Sequence, residues 1–272
     1  MSALRLVLIG ASGRMGQQIV RTLPEFPSVR LTGAVVSGRS SALGRDAGTF
    51  AGVSELGVVL RCELSSLLAD VDLALDFSHP AAATDTLAAC VAAGVPLLIG
   101  TTGLGSELEA ALTAAGREIA LLAAPNTSLG VTLLAELVQR AARALPPNYD
   151  IEIIESHHRG KRDAPSGTAL ALAEVAAKAR GGYLSQQACF ARPRTGPARE
   201  TGQIGFAVVR GGDLIGEHQV LFLGEGERLQ LAHSATDRAV FARGALSAAQ
   251  WLARQPPGRY AMRDYLFSNS DL

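Results

Sequence analysis

The sequence predicts a two-domain protein of the α/β class, in which a parallel sheet with crossover helices is followed by an α+β domain with a mainly antiparallel meander sheet. Three observations carry this. Through the first half, short apolar runs alternate with alanine-rich stretches of helical character. A glycine-rich turn, GASGRMG, stands at the first such junction. After Pro146-Pro147 the style changes to β runs separated by tight turns. A chain of 272 residues that is 48% hydrophobic has the length and apolar content for two cores, taking roughly 150 residues per domain as a soft guide.

In chain order, RLVLIG reads as a strand, with a helix from about Arg14, and VRLTGAVVS as the next strand. VDLALDFS leads into a helix from about Pro80, PLLIGTT into a helix from about Ser106, and EIALLAAPN closes the series. LALDF and LLIG are apolar on both parities, as strands are when helices cover both faces of a sheet. VTLLAELVQRAARAL predicts a helix that stops at Pro146-Pro147, because proline cannot continue one. IEIIE is a strand, SGTALALAEVAAKA a helix, and IGFAVVR, LIGEHQVLFLG and RLQLAHSA are three β runs. The short GGD and GEGE links between them predict an antiparallel meander. DRAVFARGALSAAQWLARQ returns to helix. The expected domains are a dinucleotide-binding domain over residues 1–127, completed by 238–272, and a substrate-side domain over 128–237.

Lysine plus arginine equals aspartate plus glutamate at 25 each, so no global field favours nucleic acid or an anionic membrane surface. Cys62, Cys90 and Cys189 are odd in number, widely spaced and outside any CxxC pattern, which fits a reducing compartment rather than a disulfide framework or zinc site. The N-terminal run LVLI is too brief for a signal-peptide core, and no stretch offers the ~18 apolar residues of a membrane span. The expected location is the cytoplasm, without nucleic-acid or membrane partners.

Gly10, Ala11, Ser12, Gly13, Arg14 and Met15 form the turn between the first strand and first helix. Glycine there permits a tight turn and close backbone approach, and the N–H groups at the helix start favour an anionic pyrophosphate, as in Rossmann-type domains. The group reading the adenosine ribose should end the second strand, where an acid suits a 2′-hydroxyl and a basic residue a 2′-phosphate. Ser37 and Arg39 stand there, leaving NADPH and NADH both open. The loops Gly100-Thr101-Thr102 and Ala124-Pro125-Asn126-Thr127 follow apolar strands and are candidates to line the nicotinamide end.

ESHHRGKRDAPSGTA, residues 155–169, concentrates chemistry. Pro165 suits a first helical turn, so that Ser166, Gly167 and Thr168 offer N–H groups at the positive end of the helix dipole. Lys161 adds a full positive charge, and the whole fits a small carboxylate substrate. His157 and His158 would point to opposite faces of a continuing strand, which predicts different roles: proton exchange near neutral pH, or a hydrogen bond to a carboxylate. Adjacent histidines lack metal-ligand spacing, so no metal is expected. His79, His218 and His233 read as core-edge or surface residues, with His218 and His233 on the meander that is a candidate wall of the pocket.

EIIESHHRGKRDAPSGTA, together with GASGRMG, DFSHP, IGTTG, IGFAVVRGGDLIGEH and MRDYL, resembles the bacterial 4-hydroxy-tetrahydrodipicolinate (dihydrodipicolinate) reductase family along essentially the whole chain. The resemblance implies NAD(P)H-dependent reduction of a small cyclic dicarboxylate in lysine and diaminopimelate biosynthesis, by a cytoplasmic homotetramer. It implies that His157 is the proton donor and Lys161 a second donor or substrate anchor. His158, Thr102, Ser166, Gly167 and Thr168 would bind carboxylates. Gly10 to Met15, Gly100 to Thr102 and Ala124 to Thr127 would contact the dinucleotide. This chain departs from many members at Ser37, where an acid often holds the ribose, and at Thr127, where many have an aromatic. The alternatives are another NAD(P)-dependent amino or imino acid dehydrogenase, such as an aspartate-type one, and a dinucleotide-sensing regulator. The regulator would carry a DNA-reading or partner-binding module, and no basic recognition helix is legible.

Overall fold

The computed structural model describes residues 3–268; residues 1–2 and 269–272, the ends of the expected first domain, lie outside the described residues. In chain order the elements are β1 (Leu4–Ile9), α1 (Arg14–Thr22), β2 (Val29–Val35), α2 (Ala47–Ala51), β3 (Leu60–Arg61), β4 (Leu73–Asp76), α3 (Pro80–Ala93), β5 (Leu97–Ile99), α4 (Ser106–Ala115) and β6 (Ala120–Ala123). After α5 (Leu129–Ala144) come β7 (Asp150–His157), α6 (Gly167–Ala179), α7 (Leu184–Gln187), β8 (Ala188–Cys189), β9 (Ile204–Arg210), β10 (Gly216–Leu223) and β11 (Arg228–Ala235). The chain ends with α8 (Ala239–Leu252), β12 (Gly258–Tyr260) and α9 (Met262–Leu266). Two compact units result, one from the residues up to Leu129 and from Ala239 onward, the other from Gly130–Arg238.

The first unit is a seven-stranded sheet in the order β12-β6-β5-β4-β1-β2-β3, and every pairing is parallel. Strand parity divides its core in two. Leu6, Leu8, Leu73 and Leu75 join a cluster that includes Ala245 and Leu246 of α8. Val7, Ile9, Ala74 and Leu97 join one that includes Leu87 of α3 and Leu112 of α4. Both parities are apolar because both faces are covered, and truncating a fully buried leucine such as Leu8 would cost about 2–5 kcal/mol.

The second unit has a five-stranded sheet in the order β11-β10-β7-β9-β8. The link between β9 and β10 is therefore not a hairpin, as the sequence predicts, because β7 lies between them, parallel to β9 and antiparallel to β10. The cause is α6: a helix between β7 and β9 makes a β-α-β crossover, which brings β9 alongside β7 in parallel. Gly211 to Ile215 then cross the end of β7, a span of two strand spacings, about 10 Å, well within the reach of five residues. Only β10 and β11 form the antiparallel hairpin. The inner sheet face carries Ile151, Ile153, Phe206, Val220 and Phe222, which pack with Leu134 and Val138 of α5 and Leu172, Ala173 and Ala176 of α6.

Candidate active site

In the first unit the glycine-rich turn is shaped by its own backbone. A Cβ on Gly10, whose φ is +80°, would lie 2.4 Å from the Phe77 carbonyl oxygen, and one on Gly16 would lie 2.3 Å from that of Gly10. Gly13, by contrast, is exposed and caps α1 with extended backbone and no side-chain hydrogen bond. The N–H groups at the start of α1 are thus not capped by a side chain, which fits a pyrophosphate. Arg14, Met15, Gly100, Thr101, Thr102, Pro125, Asn126 and Thr127 line a cleft of about 450 Å³. Gly10, Ser12, Gly13, Ser37 and Gly38 line another of about 790 Å³, and Phe77 and Ser78 belong to both. A dinucleotide fits two such clefts beyond the carboxyl ends of β1, β2, β4 and β5. Ala11 and Ala124 are buried behind them, and Arg39 is exposed, its N–H on the Ser37 hydroxyl at 3.3 Å.

Asp76, fully buried at the end of β4, joins two of these loops. Its Oδ1 accepts the Ser78 N–H at 2.7 Å and the Thr101 hydroxyl at 3.4 Å. Burial raises its pKa against those bonds. Thr127, where an aromatic is common in the family resembled, is buried and donates its hydroxyl to the Phe241 carbonyl at 2.7 Å. Phe241 itself lines the first cleft. Sequence reasoning missed Phe77, Ser78 and Phe241, although the DFSHP motif marks the first two.

In the second unit, β7 alternates strictly between partly exposed and buried residues. Ile151, Ile153, Glu155 and His157 share the buried parity, so the strand carries a carboxylate and an imidazole on the face that supplies its core. Glu155 Oε2 and His157 Nδ1 are 2.6 Å apart. Arg210, paired with His157 in the β7–β9 register, donates to both Glu155 oxygens at 2.7 Å. The Ser166 N–H donates to Glu155 Oε1 at 2.9 Å. Burial alone would raise the Glu155 pKa, but the bonds from Arg210, His157 and Ser166 outweigh it and hold the carboxyl below its ordinary range. Glu155 is therefore an acceptor only, and the His157 proton facing it sits on Nδ1. Burial, together with the charges of Lys161 and Arg210, lowers the His157 pKa against the opposing pull of Glu155.

The same geometry corrects the anion cradle. The Ser166 N–H is engaged by Glu155, because a buried carboxylate requires donors. Ser166 is the N-cap of α6, its Oγ accepting the Ala169 N–H at 3.2 Å, and Pro165 precedes the cap rather than entering the first turn. Gly167 and Thr168 begin the helix. His158 lies just past the end of β7 and is partly buried. Lys161 Nζ pairs with Asp163 Oδ2 at 2.8 Å. His218, an ordinary core-edge residue in the sequence reading, is buried with its Nε2 3.0 Å from Ser166 Oγ and its ring edge-to-face with His157 at 5.2 Å.

Comparison with known proteins now decides the family. The family model described as dihydrodipicolinate reductase, N-terminus, matches residues 4–127, and that described as dihydrodipicolinate reductase, C-terminus, matches residues 130–266. The chain belongs to the dihydrodipicolinate reductase family. A 4-hydroxy-tetrahydrodipicolinate reductase from Anaeromyxobacter dehalogenans is 47% identical over 96% of this chain and 97% of its own. One from Methylocella silvestris is 48% identical over 98% of each. Among solved structures, dipicolinate-bound dihydrodipicolinate reductase from Paenisporosarcina sp. TG-14 superimposes with a TM-score of 0.76 at 27% identity, covering 95% of this chain and 97% of that one. An amine dehydrogenase from Mycobacterium smegmatis shares the fold alone, at a TM-score of 0.58 and 14% identity. The fold class of the dihydrodipicolinate reductases is thus the one expected from the sequence, a Rossmann-type parallel-sheet domain with an α+β domain of mixed, mainly antiparallel pairing.

Proposed function

We infer that the chain catalyses the reaction its relatives are named for: NADH- or NADPH-dependent reduction of dehydrated 4-hydroxy-tetrahydrodipicolinate to tetrahydrodipicolinate, in lysine and diaminopimelate biosynthesis. The observation that carries this is the match to both family halves, with 47% identity to a named reductase over 96% of the chain. No helix among the described residues is long and apolar enough to cross a membrane. A cytoplasmic location is proposed on the ground of the biosynthetic role.

The cofactor is held by Gly10 to Met15, with Ser37 and Arg39 at the adenosine end and Gly100 to Thr102 and Ala124 to Thr127 at the nicotinamide end. When bound, reduced nicotinamide supplies a hydride to the conjugated imine of the substrate. The resulting enamine must then gain a proton, and His157 donates it. With Nδ1 committed to Glu155, Nε2 is the nitrogen that delivers. The position of a Cβ on Gly216 lies 3.0 Å from Nε2, so glycine at the start of β10 leaves that nitrogen uncovered by a side chain.

In the second unit the substrate carboxylates are held by His158, the Ser166 hydroxyl, the first turn of α6 at Gly167 and Thr168, and Lys161. The Lys161 partner Asp163 is 60% exposed, so its ion pair is weak enough for a substrate carboxylate to displace. A homotetramer is proposed to form through the outer face of the five-stranded sheet. Helices α5 and α6 pack on its inner face, while Ala207 and Val209 of β9 are exposed and Ile154 of β7 and Leu221 of β10 partly so. Light scattering of the purified protein tests this, and a monomer overturns it.

The deciding assay is oxidation of NADH and NADPH, in parallel, with substrate freshly generated by the preceding synthase. Rapid substrate-dependent oxidation is expected, and His157→Ala should slow turnover by about 100-fold or more while leaving cofactor binding intact. No oxidation with either cofactor would overturn the reading.

A further inference from the structure

Glu155 has no exposed side-chain surface, yet it stands on the strand face that supplies the core. Both its oxygens are engaged: Oε2 with His157 Nδ1 and Arg210, Oε1 with Arg210 and the Ser166 N–H. We propose that Glu155 is a positioning residue for His157, fixing the ring with Nε2 free to deliver the proton and balancing the imidazolium charge, while Arg210 keeps Glu155 ionised. This rests on the reading of His157 as the proton donor.

The electrostatics of the pocket make Glu155 the decisive neighbour. Facing His157 are Glu155 from its own strand, Arg210 from β9, His218 from β10 and Lys161 from the following loop, with Asp163 paired to Lys161. Lys161, Arg210 and burial all disfavour a second proton on His157, and Glu155 opposes them. Arg210 is itself anchored by two further bonds, to the Val209 carbonyl at 2.8 Å and the Asp163 carbonyl at 2.7 Å, so its fork holds the carboxylate in one orientation. A tautomer fixed at Nδ1 makes Nε2 the only nitrogen left to serve substrate.

Glu155→Gln removes the charge but keeps an oxygen for the Nδ1 proton. It also strands Arg210, so the companion variant is Glu155→Gln with Arg210→Met, which removes both members of the ion pair. In both variants the alkaline limb of the kcat–pH profile should move to lower pH by about one unit or more, and kcat near neutral pH should fall by about tenfold or more. KM for NAD(P)H should stay within about twofold, because Glu155 lies in the other unit. A folded double variant with wild-type kcat and pH profile would overturn the proposal, leaving Glu155 at most a structural ion pair. Nitrogen-15 histidine spectra of the unmutated enzyme give an independent check: Nδ1 of His157 should carry the proton of the neutral ring, and an Nε2–H tautomer overturns the proposal whatever the variants do. His157→Ala in the same assay separates the two levels. If it retains full turnover, the donor reading fails; if it is slow while the folded double variant is unaffected, only the positioning role fails.

Discussion

Ser166 Oγ lies 3.0 Å from Nε2 of His218, and both residues are buried. The same oxygen caps α6 through the Ala169 N–H. Ser166→Ala thus removes an N-cap, worth about 1 kcal/mol, and leaves a buried imidazole nitrogen without its partner, at about 1–3 kcal/mol. The melting temperature should fall by several degrees, at about 4 °C per kcal/mol for a unit of this size. Because Ser166 is also assigned to the substrate, KM for the dicarboxylate should rise while KM for NAD(P)H holds. Scanning calorimetry beside steady-state kinetics checks both, and an unchanged melting temperature would show that the cap contributes nothing.

His218 makes the stability of the enzyme dependent on pH. Burial, chiefly, and the nearby His157 lower its pKa to about 4. Between that value and the unfolded one, about 6.5, the unfolded chain binds more protons than the fold. The contribution of neutral His218 is therefore complete above the unfolded pKa and is lost as pH falls through this window. From about pH 7 to about pH 5 the loss should be on the order of 2 kcal/mol. His157 and His233 are shifted in the same direction by burial and add to it. Urea unfolding at the two pH values measures the loss, and His218→Gln, which still bonds Ser166, should show a shallower dependence. An equal slope in wild type and variant would remove His218 from the account.

Cofactor choice turns on the end of β2. Ser37 and Gly38 line the larger cleft and Arg39 is exposed beside them. A charge-assisted bond from Arg39 to a 2′-phosphate is worth about 1.5–3 kcal/mol, so Arg39→Ala should raise KM for NADPH about tenfold or more and leave NADH nearly unchanged. Ser37→Asp should act the other way on NADH, supplying the acid that accepts from a 2′-hydroxyl. Matched titrations of both cofactors check this, and an Arg39→Ala enzyme with equal losses for the two would show that Arg39 does not read the ribose.

The parallel sheet is legible because its strands are apolar on both parities and its turns carry glycine, so local pattern and tertiary role agree. The place of β7 is not legible: a Gly-Gly-Asp link serves a hairpin and a step over one strand equally well, and α6 decides between them. His157 and Lys161 stand out as a motif. Glu155 is legible only from the parity of IEIIESH, which sets a carboxylate in line with Ile151 and Ile153. Arg210 and His218 carry no local signal of their contacts: strand register brings Arg210 to Glu155, 55 residues away, and sets His218 opposite Glu155 on the neighbouring strand, where it meets Ser166, 52 residues away. Phe241, 114 residues from Thr127, reaches the cofactor cleft from α8, by helix packing rather than strand register.

Gly13 and Gly16 of the first turn do different work, and alanine substitutions should separate them. A Cβ on Gly16 would meet the Gly10 carbonyl at 2.3 Å and the Ala11 Cα at 2.6 Å, backbone atoms that cannot move aside without opening the turn. Gly16→Ala should therefore lower stability and NAD(P)H affinity together. Gly13 has φ −71°, and a Cβ there meets only the Gly10 carbonyl, at 3.2 Å. Gly13→Ala should fold with little loss of stability, yet its methyl group stands where the backbone must approach the pyrophosphate. Its NAD(P)H KM should rise about tenfold, and its melting temperature without cofactor should match wild type. Thermal melts of each variant with and without NADPH distinguish them: Gly16→Ala should be lower in both conditions, whereas Gly13→Ala should lose only the stabilisation that the cofactor brings. A Gly13→Ala protein stabilised by NADPH as strongly as wild type would mean that the pyrophosphate does not rest on this turn.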